Sequence, residues 1–399
     1  MFNYSTVSIN PTGNPNDDTK IQRFPVPDFK LSESTGLFRQ QKSPHLCTAS
    51  DSPNPYAREF RYPFNQQITD CFNFIKAQGY PHPILIGAIP FDTNQNATLN
   101  FYSEFEQTTP NSAQQPAHTA APNTMLHQKK LVERPVFEHS VKLALKAMNS
   151  GNMQKIVLSQ ATEFEFNQQH SPEQLFTTLT RQNPDAYSFL IPVEDNQYIF
   201  GASPELLLSR QQQQVRSNPL AGSRPRSSNT EENNRIRNEL YHSAKDRYEH
   251  QFVIDNIRHQ LSKYCNEYSA SETPDILTTS TMFHLSSVFQ GQLQPSAPDA
   301  LNLALHLHPT PAVCGTPTPV AKQFILSHEG YNRHYYSGLN GWMDAEGNGE
   351  WVVTIRNGLL NQNKIRLYAG AGIVVGSDAA TEWLETEAKM QTMLNVFQF

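Results

Sequence analysis

The 399-residue sequence contains few cysteines and no long apolar run, and each absence excludes a class of protein. Its four cysteines, Cys47, Cys71, Cys265 and Cys314, lie far apart and form no Cys-x-x-Cys pair, which argues against a zinc site and a disulfide scaffold. We therefore expect four reduced thiols. No run of about 18 apolar residues predicts a membrane span, and the amino-terminal residues lack the basic and apolar regions of a secretory signal.

Charge is also sparse and evenly spread. The chain has 31 Lys and Arg against 37 Asp and Glu, a net charge of -6, and its basic residues form no stripe. Nucleic acid and anionic membrane are therefore not expected as partners. No Gly-x-Gly-x-x-Gly or Walker loop follows a predicted strand, so nucleotide binding has no support. With the cysteine usage, these features predict a cytoplasmic protein.

The hydrophobic pattern predicts a single domain over 1–399, with a divergent amino-terminal part at 1–80. Residues 106–124 lack both periodicity and bulk and are predicted to form a mobile surface loop. Elsewhere helix and strand patterns alternate, which favours an α+β fold with an antiparallel core. The predicted strands are 83–92, 155–160, 187–191, 198–201, 205–209, 350–360 and 364–369, and the predicted helices are 137–150, 229–264 and 380–396.

Acidic residues near the carboxyl terminus suggest a cation site. Glu382 and Glu385 are three residues apart, so both project from one face of the predicted helix, with Lys389 on the same face. We expect this helix to open directly after 370–372, a Gly-Ala-Gly segment that lets backbone N–H groups approach a ligand. Paired carboxylates suit Mg²⁺, and Glu249 on the long helix is a further candidate ligand. The alternative is a solvated acidic turn with a surface ion pair of about 0.3–0.5 kcal/mol.

Two charged residues are unusual for their local context. Lys155 begins an apolar, β-branched strand, and Glu205 leads into another apolar strand. If both side chains point inward, burial disfavours their charged forms, which is the arrangement that an acid–base pair needs. The alternative is that both lie at strand ends and reach water. These residues alone leave a metal-assisted acid–base enzyme as one option.

Seven segments of the chain occur in a recognisable order. They are KIVLSQ at 155–160, FGASPELLL at 200–208, PLAGSRPR at 219–226, KDRYEHQFV at 245–253, HPTPAVCG at 308–315, GEWVVTIR at 349–356, and AGAGIVVGS with EWLETEAK within 369–389. Together they resemble the chorismate-utilising enzymes, and within that family the isochorismate synthases of the catechol-siderophore type. The resemblance runs from about residue 80 to the carboxyl terminus. It implies large antiparallel β-sheets packed in a sandwich and surrounded by helices.

The resemblance also implies a role for each candidate residue. Lys155 stands in the place of the general base that activates water for attack at C2 of chorismate, and Glu205 in that of the acid that protonates the departing C4 hydroxyl. Mg²⁺ would be held by Glu249 and Glu385, with Glu382 beside them. The implied substrate contacts are Gly222, Ser223, His308, Ala312, Tyr336, Arg356, Gly370, Ala371, Gly372 and Lys389.

The implied activity is Mg²⁺-dependent conversion of chorismate to isochorismate, feeding 2,3-dihydroxybenzoate and a catechol siderophore. Supply of menaquinone synthesis is the competing use, and a salicylate synthase, which performs the same step and then eliminates pyruvate, is the alternative activity. Ala221 stands where one type of aminodeoxychorismate synthase carries a nucleophilic Lys. Anthranilate synthases carry Gln at the position that Lys155 occupies in this chain, so we expect no glutaminase subunit. We also expect a monomer. A catalytically silent binding protein would lack the base, the acid or a metal carboxylate, and all are present.

Overall fold

The computed structural model describes residues 64–102, 124–193 and 197–397, together with short strands at 7–9, 22–24, 28–30, 59–60 and 106–108. The helices of these residues are α1 Asn65–Ala77, α2 Arg134–Asn149, α3 Pro172–Gln182, α4 Thr230–His242, α5 Ala244–Leu261, α6 Ala300–Leu307, α7 Thr318–His328 and α8 Ala379–Leu394, with short 3₁₀ turns at Ser262–Tyr264 and Asn395–Phe397.

The strands are numbered in chain order. They are β1 Val7–Ile9, β2 Gln22–Phe24, β3 Asp28–Lys30, β4 Glu59–Phe60, β5 Ile84–Ile89, β6 Ala97–Tyr102, β7 Glu106–Thr108, β8 Met125–Lys130, β9 Lys155–Phe166, β10 Tyr187–Pro192, β11 Gln197–Ser203, β12 Leu206–Gln211, β13 Gln214–Asn218, β14 Leu220–Pro225, β15 Cys265–Ala270, β16 Asp275–Thr278, β17 Met282–Ser286, β18 Phe289–Leu293, β19 Gly315–Thr316, β20 Leu339–Asp344, β21 Gly349–Val353, β22 Asn357–Asn361 and β23 Lys364–Val374.

Two large sheets form the body of the molecule. One has nine strands in the order β15-β18-β13-β12-β21-β20-β5-β6-β4, and the other has seven, in the order β10-β11-β22-β23-β9-β19 with β8 also paired to β9. A three-stranded sheet, β14-β17-β16, lies beside them, and the strand pairs of all three sheets are antiparallel. The prediction of an α+β fold with antiparallel sheets is therefore confirmed.

The two large sheets pack face to face through apolar side chains. Ile86 and Trp342 of the nine-stranded sheet belong to one buried cluster with Phe189, Ile191 and Ile199 of the seven-stranded sheet. Alternation of side chains along a strand supplies such a face, because every second residue points toward the partner sheet. The β-sandwich is thus held by the apolar runs that the sequence shows around residues 84–89 and 187–191.

Helices α2 and α8 cover the outer face of the seven-stranded sheet. Trp383 of α8 packs edge-on against Phe137 of α2, with ring centroids 5.4 Å apart, and both belong to a buried cluster with Ile156 and Ile373 of the sheet. Helix α8 begins at an N-cap, where the Asp378 side chain accepts a hydrogen bond from the Thr381 N–H at 2.9 Å. The acidic face of α8 is consequently anchored next to β23.

Three predicted elements have different boundaries in the structure. The helix expected over 229–264 is two helices, because Ser243 takes an extended conformation and its side chain caps α5 by accepting the Asp246 N–H. The strand expected over 350–360 is also two elements, β21 and β22, separated at Arg356, whose φ is +49°. Residues 370–372 lie within β23, so they do not form a loop that opens directly into α8.

The chain crosses between the two large sheets at two adjacent places, which we call the sheet crossings. Residues 204–205 connect β11 to β12, and residues 354–356 connect β21 to β22. The crossings are hydrogen-bonded to each other: Ala202 N–H donates to Arg356 O (3.0 Å), Ser203 Oγ–H to Val353 O (2.7 Å) and Val353 N–H to Glu205 O (3.2 Å). Glu205 and Arg356 are therefore fixed at one edge between the sheets.

The four cysteines were expected to be reduced. Cys265 and Cys314 are free, but Cys71 is disulfide-bonded, so the expectation of four reduced thiols is wrong.

Of the segment 106–124, residues 106–108 form β7, and residues 109–123 lie outside the described residues, as does most of 1–63. Among the described residues, no helix has the length and apolar character that crossing a membrane requires.

Candidate active site

One cleft, at the edge between the two large sheets, gathers most of the predicted site residues. It is bounded by β9, β14, β23, α5, α8 and both sheet crossings. The predicted residues that line it are Glu205, Gly222, Ser223, Glu249, Ala312, Tyr336, Arg356, Gly370, Gly372, Glu385 and Lys389. These residues span the sequence from 205 to 389, and the fold brings them together.

Four predicted residues are placed outside the lining. Lys155 is buried beside Glu249, and Glu382 is buried beside Lys245. Ala371 is fully buried in β23, and because neighbouring strand residues alternate, it points away from the face that Gly370 and Gly372 present. His308 is half-buried, and its Nε2 lies 3.1 Å from Phe91 O.

Lys155 is the first residue of β9 and is completely buried. Strand pairing on both sides fixes its backbone, opposite Val374 of β23 and Thr316 of β19. Its Nζ lies 3.2 Å from Glu249 Oε1, and it makes no hydrogen bond among the described residues. A completely buried amine is unusual, because burying a charged group is costly unless it is paired, and here the partner is the Glu249 carboxylate. The alternative that Lys155 reaches water is excluded.

Glu205 is also buried, with 2% of its surface exposed. The only contact that we find for its carboxylate within the described residues is a long one, with Oε1 accepting the Leu220 N–H at 3.4 Å. Burial raises the pKa of Glu205 to about 7, against the opposing effects of the Leu220 N–H and the charges of Lys155 and Arg356. A carboxyl group with such a pKa holds a proton at neutral pH for a large fraction of the time and can donate it.

Each of the three predicted metal carboxylates lies beside a lysine. Glu382 accepts a hydrogen bond from Lys245 at 2.6 Å, and Glu385 is 2.5 Å from Lys389. Burial acts to raise the pKa of Glu249, but the charges of Lys155 and Lys389 outweigh it and hold that pKa below its ordinary value. Burial, followed by the charge of Glu385, raises the pKa of Glu382.

The carboxylates fit a hard cation as a pair. No group of three His, Cys, Asp or Glu residues in a metal-binding arrangement occurs in the part of the chain that the structure describes. Glu249 and Glu385 nevertheless line the same cleft, and Mg²⁺ is usually bound by one or two carboxylates with water and substrate oxygens completing its shell. Gly372 makes room for this pair, because a Cβ there would lie 2.1 Å from Glu249 Oε1.

The cleft also has cationic and aromatic lining residues. Arg356 lies at the sheet crossing, and Lys389 donates a hydrogen bond to Gly370 O at 2.9 Å. Tyr336 is 4% exposed and stacks on Tyr368, with ring centroids 5.1 Å apart. Gly370 lies against this ring, since a Cβ there would be 2.7 Å from Tyr336 Oη. The glycine therefore allows Tyr336 to reach the strand and to form a flat wall.

One polar residue of the cleft was missed by the sequence analysis. His284, on β17, is 3% exposed and lines the cleft. Its Nδ1 lies 2.8 Å from Ser223 Oγ, while its Nε2 has no partner among the described residues. Burial lowers the pKa of His284 well below its ordinary value, which leaves a neutral imidazole beside the cleft. The signal in the sequence was a histidine inside the short apolar strand Met282–Ser286.

The family model described as "Chorismate binding enzyme" matches residues 76–398, which is most of the chain. The chain belongs to this family of chorismate-binding enzymes. The resemblance of the seven segments is thereby confirmed.

The relatives of this chorismate-binding enzyme include named isochorismate synthases. Isochorismate synthase DhbC of Bacillus subtilis is 39% identical over 340 residues, covering 82% of this chain and 84% of the relative. Isochorismate synthase EntC of Escherichia coli K12 is 36% identical over 377 residues and covers 94% of each chain. Among solved structures, a putative 2,3-dihydroxybenzoate-specific isochorismate synthase, DhbC from Bacillus anthracis, has a TM-score of 0.79 at 36% identity, covering 84% of this chain and 88% of the other.

Proposed function

We propose that this chorismate-binding enzyme is an isochorismate synthase, with Lys155 as general base and Glu205 as general acid. The observation that carries the proposal is that a buried, protonatable carboxyl group, Glu205, lines the cleft, and that the buried amine of Lys155 lies 3.2 Å from Glu249, which lines the same cleft. Substitution of a ring hydroxyl by water needs both groups, because one must take a proton from the attacking water while the other gives a proton to the leaving hydroxyl.

The reaction conserves the composition of the substrate. Lys155 accepts a proton from water as the new C2–O bond forms, and the two ring double bonds each shift by one position. The C4–O bond breaks as Glu205 donates its proton, so the C4 hydroxyl leaves as water. Proton exchange with solvent then restores both groups. Reactant and product are isomers, and neither ammonia nor a redox partner is required.

The cationic part of the cleft supports binding of a dicarboxylate. Chorismate carries two carboxylates, and the protein carries a net charge of -6, so local cations must attract the substrate. Arg356 and Lys389 line the cleft and are the proposed partners of the enolpyruvyl carboxylate. The planar guanidinium of an arginine suits bidentate capture of a carboxylate.

We extend the proposal to Mg²⁺, held by Glu249 and Glu385. When bound, such a cation supplies positive charge that anchors the ring carboxylate of the substrate. Glu382 lies one turn from Glu385 on α8, and we assign it an indirect role, because its carboxylate is directed to Lys245. No substrate contact is assigned to His308 or Ala371, since neither residue lines the cleft.

The pathway is proposed from the relatives. One similar structure is that of a putative 2,3-dihydroxybenzoate-specific isochorismate synthase. Another relative, 37% identical over 316 residues, is a vibriobactin-specific isochorismate synthase from Vibrio cholerae. We propose that the product feeds 2,3-dihydroxybenzoate for a catechol siderophore, with menaquinone supply as the alternative. A cytoplasmic location, a monomeric state and the absence of a glutaminase subunit stay predictions.

A product assay tests the function. Purified protein is incubated with chorismate and Mg²⁺, without ammonia, and the products are separated by chromatography. Isochorismate as the main product supports the proposal, whereas abundant salicylate and pyruvate would identify the alternative lyase activity. Lys155→Gln serves as the inactive control, because an amide cannot accept the proton from water. If this variant matched the wild type, the role assigned to Lys155 would be wrong.

A further inference from the structure

The outer edge of β9 has a gap in its strand pairing. On its inner edge, β9 pairs with β23 over residues 155–165. On the outer edge, β19 pairs with residues 155–156, and β8 pairs only from Thr162 onward. Between these two partners, the Val157 carbonyl and the Ser159 N–H face no strand of the described residues. Buried backbone groups of this kind require other partners.

A buried ion pair fills the gap. Ser159 donates two hydrogen bonds to Glu329 Oε1, from its N–H and from its Oγ–H, both at 2.8 Å. Arg333 donates from Nη2 to Val157 O and from Nη1 to Val313 O, also at 2.8 Å. The two side chains are joined by two contacts, one of them from Arg333 Nε to Glu329 Oε2 at 2.7 Å. The side chains of Glu329 and Arg333 thus supply the hydrogen-bond partners that a neighbouring strand would otherwise give to β9.

The environment of the pair argues against a purely stabilising role. Glu329 is 4% exposed and Arg333 3% exposed. The guanidinium lies over the rings of Phe91 and Tyr336, at 4.6 and 5.7 Å from their centroids. A buried ion pair is weak evidence for stability, because apolar side chains of similar volume often serve as well. Here apolar side chains in place of Glu329 and Arg333 would leave backbone groups of β9 without hydrogen-bond partners. The ion pair therefore fixes the position of β9 in a way that apolar side chains would not.

The groups that the pair holds belong to the cleft. Val157 and Val313 line it, as does Tyr336, which packs under the guanidinium. Val157 is two residues from Lys155 on the same strand, so both side chains point to the same face of the sheet. A shift of β9 at Val157 is therefore transmitted directly to the amine.

We propose that Glu329 and Arg333 are positioning residues, which complete the open edge of β9 and so set the place of the Lys155 amine relative to the Val313 and Tyr336 walls. The inference rests on the proposed role of Lys155 as general base. Displacement of a catalytic group by about 1 Å can lower a rate by about 100-fold. We therefore expect loss of the pair to lower kcat much more than it changes the KM for chorismate.

The test compares Arg333→Lys and Glu329→Gln with a matched control. Lysine keeps the positive charge but cannot reach Glu329, Val157 and Val313 together. Arg210→Lys is the control, because Arg210 also donates to backbone carbonyls, of Gln212 and Pro298, at the end of β12 remote from Glu205. We expect kcat for isochorismate formation to fall by about 100-fold in the first two variants, with KM changed by less than about threefold. The control should keep the wild-type kcat.

A second readout does not depend on the reaction. Amide hydrogen exchange at Ser159 should become faster in Arg333→Lys, while exchange at the opposite, β23-paired edge stays slow. If Arg333→Lys does not fold, Ser159→Ala decides instead, since it keeps the ion pair but removes the Oγ contacts to Glu329 and Tyr331, and it should still reduce kcat more than Arg210→Lys does. A folded Arg333→Lys with wild-type kcat and unchanged Ser159 exchange overturns the inference. If the wild type forms no isochorismate, the proposed function fails, and faster Ser159 exchange still supports the structural role of the pair.

Discussion

Replacing Glu205 by glutamine should stabilise the protein while inactivating it. The pKa of Glu205 is raised by burial from 4.5 to about 7, so the folded state binds this proton more tightly than the unfolded state does. The carboxyl group consequently destabilises the fold as pH rises through the window from 4.5 to about 7. A shift of about 2.5 units, at about 1.4 kcal/mol each, corresponds to about 3 kcal/mol of lost stability above pH 7.

The measurement is the free energy of unfolding in urea at pH 4.5 and pH 8.5, with a chelator present to remove divalent cations. At pH 8.5 Glu205→Gln should exceed the wild type by about 3 kcal/mol. At pH 4.5 the two should nearly coincide, because the carboxyl group is then neutral in the folded state and only half ionised in the unfolded state. Activity should fall by about 10²–10⁴-fold, since glutamine cannot donate the proton. In the wild type, kcat/KM should decline as pH rises through about 7 and Glu205 loses its proton.

Glu350 provides a matched control. Its pKa is also raised by burial to about 7, but it lies on β21 outside the cleft, near Trp342 and Arg216. Glu350→Gln should therefore give a similar stabilisation at pH 8.5 and keep the activity. The reasoning is refuted if Glu205→Gln gains no stability at pH 8.5 while Glu350→Gln does. The buried carboxyl group of Glu205 would then not lower the free energy of unfolding.

The remaining predictions concern the base and the cation. Lys155→Gln should abolish isochorismate formation but still bind Mg²⁺ in a calorimetric titration; retained turnover would remove the base from the mechanism. Glu249→Gln and Glu385→Gln should each weaken Mg²⁺ binding at least about 10-fold, because each removes one of two carboxylate ligands, and an unchanged Kd would contradict the proposed site. Gly372→Ala should also weaken Mg²⁺ binding, since its Cβ would lie 2.1 Å from Glu249 Oε1 and displace that carboxylate. Wild-type Mg²⁺ affinity in this variant would mean that the position of Glu249 is not critical.

Elements with one clear periodicity could be predicted from the sequence. The helix expected at 137–150 is α2, Arg134–Asn149, and the strands expected at 187–191 and 198–201 form the antiparallel pair β10 and β11. The helix has apolar residues at helical spacing, and each strand is a short apolar run beside a polar loop, so the sequence carries a local signal for all three elements. Their boundaries differ from the predicted ones by up to three residues, because caps and strand ends depend on tertiary contacts.

Other elements could not be predicted, because tertiary contacts decide them. The apolar pattern continues through Ser243, yet the chain turns there so that α5 can present Glu249 to the cleft. The pattern also continues through Arg356, where the chain passes between sheets. A hydrophobic pattern indicates which residues are apolar but not the sheet to which a strand belongs. It therefore does not predict where the chain passes from one sheet to another.

The candidate site was predicted mainly through family resemblance. Charged residues in apolar contexts identified Lys155 and Glu205, whose burial the structure shows. His284 was missed, because a single histidine in a strand is a common feature of cores, and only its unpartnered Nε2 beside Ser223 marks it. The ion pair of Glu329 and Arg333 was missed for a similar reason, since its partners are backbone atoms of β9 that no sequence pattern reveals.

The sheet crossings limit how this enzyme can change. Glu205 and Arg356 sit on two passages that are hydrogen-bonded to each other and joined at both ends to strands of different sheets. Adding or removing one residue in either passage would invert the facing of side chains in one of the two strands that it joins. New substrate preferences are therefore expected to arise by side-chain exchange at fixed length here, or on a wall such as Ala221 and Val313, where the chain does not have to satisfy two sheets together.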